Sequence, residues 1–132
     1  MTSKILFAVL LSANLASADD RPVAAGTVDA AVAAEHEAST RQHYHAQLAT
    51  IAERDIVTAE IIRDMAAKQR DEAVREHRTG DADRWAARHA EALRDERDAR
   101  GRAAHHAAER DKARADFEAS ADKVRELSRT SG

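Results

Sequence analysis

The chain has 132 residues, 34% of them charged, a formal net charge of −3, no cysteine and only 3% aromatic residues. A chain of that size holds one modest domain. The missing thiol excludes disulfides, cysteine nucleophiles, cysteine-ligated zinc, iron–sulfur clusters and covalently attached haem. Acidic and basic residues are interleaved, which leaves no basic face for nucleic acid and no polybasic stretch for anionic lipid.

In chain order, the first element is an address. Lys4 gives a basic start, residues 5–11 (ILFAVLL) an apolar run, and Ala16-Ser17-Ala18 a small-x-small cleavage site before Asp19 and Asp20. That order describes a secretory signal peptide over 1–18, and its apolar stretch is too short to span a bilayer. The expected location is therefore secreted or periplasmic, with no stable membrane insertion after cleavage. Loss of Lys4 leaves a mature charge of about −4. Residues 19–26 contain the only proline, Pro22, and the first glycine, Gly26, and read as a short flexible arm.

Beyond the arm, helix formers dominate. Alanine occurs 32 times and arginine 17 times, and no proline or glycine interrupts residues 27–79. Strand formers are scarce, so the mature chain is expected to be all-α. Thr27 can cap a first helix over about 28–78, and Asp81 a second over about 82–128. The break between them is expected at 79–81, around Gly80, because glycine commonly ends helices. Residues 129–132 then form a tail. A connection that short predicts a long antiparallel helical hairpin over 27–128, coiled-coil-like in outline.

Apolar residues recur at three- and four-residue steps: Leu48, Ile51, Ile56, Ile62 and Met65 on the first helix, and Trp85, Leu93, Phe117, Val124 and Leu127 on the second. Between them the stripe is largely alanine, and heptads of large residues are not sustained, which argues against a strong parallel coiled coil. With the turn at Gly80, residues 56–65 face 95–104, the most polar part of the second helix. A lone hairpin then covers Ile61, Ile62 and Met65 poorly. These three form the expected interaction patch, closed by a homodimer or by an envelope protein partner; a bend at Gly101 is the other way to cover them.

Seven histidines raise metal or haem binding. On a helix, His43 and His45 point about 200° apart, and His105 and His106 diverge by about 100°. The workable set is His105 with Glu109 one turn on, joined across the hairpin by Asp55, a weak candidate metal site. The same register places His43 and His45 opposite Phe117 and Ala115. Haem held by histidine and the mature chain's sole methionine, Met65, finds no aromatic pocket. No nucleophile elbow, phosphate loop, dinucleotide turn or His-Glu-x-x-His is present. The sequence thus reads as an exported, non-enzymatic protein without a cofactor, acting through helix–helix contacts. The alternative is a weak periplasmic metal or haem binder using surface histidines.

Overall fold

In a computed structural model, residues 26–130 are described. The expected signal peptide, most of the expected arm and residues 131–132 lie outside the described residues. Two helices, α1 (Val28–Arg75) and α2 (Thr79–Thr130), pack against each other as a hairpin. Their 48 and 52 residues correspond to roughly 72 and 78 Å of helix.

Both ends of α1 are fixed by local chemistry. Thr27 is the N-cap, extended at φ −82° and ψ 159°, and its hydroxyl accepts from the Ala30 amide at 3.2 Å. Asp29 adds negative charge to the first turn, where it complements the helix dipole.

The C-terminus differs from the sequence expectation. α1 stops at Arg75, and His77, not Gly80, takes the left-handed conformation, with φ 56°. The Arg78 amide donates to the Ala73 carbonyl at 2.8 Å and the His77 amide to that of Val74 at 3.1 Å. This pair of bonds is a Schellman closure, which satisfies carbonyls that the helix end would otherwise orphan. The expected turn at 79–81 lies inside α2. Its first turn is entered from Arg78, whose carbonyl accepts from Ala82 at 3.0 Å. Asp81 is an acidic first-turn residue, not the cap, and bonds the Arg78 guanidinium at 2.6 Å. At the other end α2 runs through the expected tail to Thr130, whose hydroxyl donates back to the Leu127 carbonyl at 3.0 Å. Gly101 does not interrupt α2, which is one continuous helix.

The seam between the helices is made of alanine. On α1, Ala31, Ala38, Ala52, Ala59, Ala66 and Ala73 are buried at seven-residue spacing, with His45 in the remaining place. On α2, Ala92, Ala99 and Ala113 keep the same spacing, with His106 between the last two. A strict seven-residue repeat is the signature of coiled-coil packing. Here the small side chain lets the backbones approach, and every buried residue among those described except Glu96 is an alanine. Each buried methyl contributes only about 0.8 kcal/mol, but alanine loses no rotamer entropy on burial.

Ion pairs across the seam fix the register. Arg63 meets Glu96 at 2.6 Å, Arg100 meets Glu60 at 2.7 Å, Arg102 meets Asp55 at 2.9 Å and Arg41 meets Asp116 at 3.2 Å. Residues 56–65 therefore do face 95–104. Glu96, at 8% exposure, is the one buried charged residue among those described. Its second oxygen accepts from Arg100 at 2.7 and 3.0 Å, so both carboxylate oxygens are satisfied. The hydrogen bond from Arg100 holds its carboxyl below the usual carboxylate range; burial opposes this and the Arg63 charge adds to it.

Candidate interaction face and histidine layer

Beside the alanine seam, α1 carries a second stripe. Tyr44, Leu48, Ile51, Asp55, Thr58, Ile62 and Met65 follow one another at alternating four- and three-residue steps. Such steps keep them on one side of the helix, about 100° around from the face that meets α2. Tyr44 (56%), Ile51 (51%) and Met65 (47%) are exposed, while Leu48 and Ile62 are half-buried. Ile61, 64% exposed, lies further toward solvent. The expected patch of Ile61, Ile62 and Met65 is thus the C-terminal part of a longer stripe. The recurring steps read from the sequence already join Leu48 and Ile51 to Ile62 and Met65, but the expected patch stopped short of them and of Tyr44.

α2 covers this stripe only in part. The groove beside Met65 is bordered by Arg84, Trp85, Arg88, Glu91 and Arg94. A second groove brings Asp55, Thr58 and Ile62 beside Asp95, Asp98 and Arg102. An apolar strip is therefore edged by charges of both signs.

The histidines are arranged differently from the expectation. His45 does not face Ala115: its Nδ1 lies 3.2 Å from Nδ1 of His106. His45 and His106 each stand in line with a seven-residue alanine row, and the packing of the helices brings these two places into one layer. The rings are tilted by 31° with centroids 5.4 Å apart. Burial pushes the His106 pKa below the usual imidazole value; His105, His45 and Arg102 push the same way and Glu109 opposes them.

Of the candidate metal residues, Asp55 is hydrogen-bonded to Arg102 at 2.9 Å, Glu109 is half-buried, and His105 is exposed with its ring centroid 5.1 Å from that of His106. His43 pairs along its own helix with Gln47 at 3.0 Å. Among the described residues, no three histidine or acidic side chains are grouped to hold a metal ion. No described helix is long and apolar enough to cross a membrane.

Set against known protein families, curated proteins and solved structures, the chain matches none.

Proposed function

We propose that this is an exported, non-enzymatic helical protein that works by helix–helix contact, first with a second copy of itself and through that assembly with an envelope partner. The observation that carries the reading is the exposed apolar stripe on α1. Export is supported by the basic start, apolar run and small-residue site of 1–18.

The stripe favours a second copy because it is self-complementary. An antiparallel pairing of two α1 helices about an axis between Asp55 and Thr58 opposes Leu48 to Met65 of the second copy. The same pairing opposes Ile51 to its Ile62, and Asp55 to its Thr58 hydroxyl. Each of these contacts occurs twice, as a two-fold interface requires. Two hairpins joined in this way make a four-helix assembly in which the apolar strip becomes interior.

Sedimentation of the processed protein at micromolar concentration tests the reading. A dimer that Ile62→Asp converts to monomer, with helicity retained, is the expected result. A strict monomer that Ile62→Asp leaves unchanged overturns it.

A further inference from the structure

Between Ala31 and Ala73 on α1 and between Ala92 and Ala113 on α2, the seven-residue alanine row is interrupted once, by His45 and by His106, and the two interruptions meet. The centroid separation of 5.4 Å is close to the 3.2 Å nitrogen separation extended by the two ring radii. Each Nδ1 is therefore aimed at the other, which is hydrogen-bond geometry: one ring donates its Nδ1–H and the other accepts. A metal ion joining the pair would sit off that line and beside the positive charge of Arg102, so the arrangement favours a shared proton.

A closed pair of this kind can hold one extra proton and refuses a second. The first goes to the outward Nε2 of the donor ring, and its charge strengthens the bond. The second must go to the accepting Nδ1, which destroys the bond and sets two positive charges in contact inside the seam. The groups that bear on His106 are His105, Arg102 and Glu109 on α2 and His45 on α1. Three of these disfavour a further positive charge and only Glu109 favours it.

The two sides of this layer are latched unequally. Toward the turn, three cross-helix ion pairs hold the helices together: Asp55–Arg102, Glu60–Arg100 and Arg63–Glu96. Toward the free ends, among the described residues, only Arg41–Asp116 spans the gap. We propose that the His45–His106 layer is a proton-operated hinge: when both rings are protonated, residues 28–44 and 107–130 separate while the turn-side half stays closed.

The sign follows from proton counting. The open pair binds more protons than the closed one, so closure is complete above the ordinary histidine pKa of about 6.5 and is lost as the pH falls through it. One excess proton in the open state raises the opening equilibrium about tenfold between pH 7.5 and 5.5.

The chain has no cysteine, so spin labels can be placed at will. One pair goes beyond the layer, at Ala33→Cys and Ala119→Cys, and one on the turn side, at Arg54→Cys and Arg97→Cys. Dilution with unlabelled protein restricts the measured distances to one chain, which separates hinge opening from self-association. The expected result is a longer and broader outer distance at pH 5.5 than at 7.5, with the inner distance constant. His45→Ala with His106→Ala, which completes the alanine seam, removes the response. His45→Gln, which keeps a hydrogen-bonding side chain but takes no proton, removes it also, and far-UV circular dichroism verifies that both variants fold. Outer distances equal at the two pH values overturn the proposal, as does a pH response that survives in either variant.

Discussion

Gly101 is the only glycine in the interior of α2, and replacing it with alanine should stabilise the hairpin. Its backbone is helical, it is exposed, and a Cβ built on it has no atom within 4 Å. The added methyl therefore costs no repacking. Glycine in a helix interior is about 0.8–1.0 kcal/mol worse than alanine, in large part because the unfolded chain loses more freedom on ordering. For a domain of this size each kcal/mol is about 4–8 °C in Tm, so Gly101→Ala should melt several degrees higher. The measurement is thermal unfolding followed at 222 nm, with the sequence otherwise unchanged. Gly80 offers an internal comparison: its Cβ position is equally open, but it lies in the first turn of α2. Fewer helical bonds depend on it there, so Gly80→Ala should give less than half the gain. A lower Tm for Gly101→Ala would refute the reasoning, because it would mean that α2 bends at this point or that another chain packs closely against it.

Two further substitutions probe the turn and the buried charge. His77 holds a left-handed backbone at φ 56°, a conformation that costs a non-glycine residue roughly 1–2 kcal/mol. His77→Gly should recover about 0.5–1 kcal/mol after the added freedom of the unfolded chain is deducted, read as a higher denaturant midpoint with an unchanged slope. Glu96→Gln leaves Arg63 and Arg100 without their buried carboxylate and should lower Tm at pH 7. Because the Glu96 pKa is held below its ordinary 4.5, its stabilisation is present above that value and is lost as the pH falls through the depressed one. The difference in Tm between wild type and Glu96→Gln should therefore shrink below about pH 4, and a constant difference would show that the ion pairs contribute nothing.

Much of this fold is legible along the chain because helix propensity and capping are local. The run of alanine, arginine and glutamate without breakers, the Thr27 cap after Gly26, and a single short interruption, expected at 79–81, are enough to give two long helices side by side. Exposure of Ile61 and Met65 was also readable, since residues 95–104 offer them no apolar partner. Other features depend on contacts between residues far apart in sequence. The turn sits at His77 because closing bonds to Ala73 and Val74 outweigh the left-handed backbone, and glycine's permissiveness at Gly80 cannot reveal that balance. The packing of the two helices decides which side chains oppose one another, and it joins His45 to His106, 61 residues apart. The seven-residue alanine repeat was present in the sequence throughout, but alanine is common everywhere in this chain. Only burial against a second helix separates the alanines that form the seam from those that face water. Glu96 shows the same limit: it looks like any other surface acid until the packing of α1 against α2 brings Arg63 to it and closes water out.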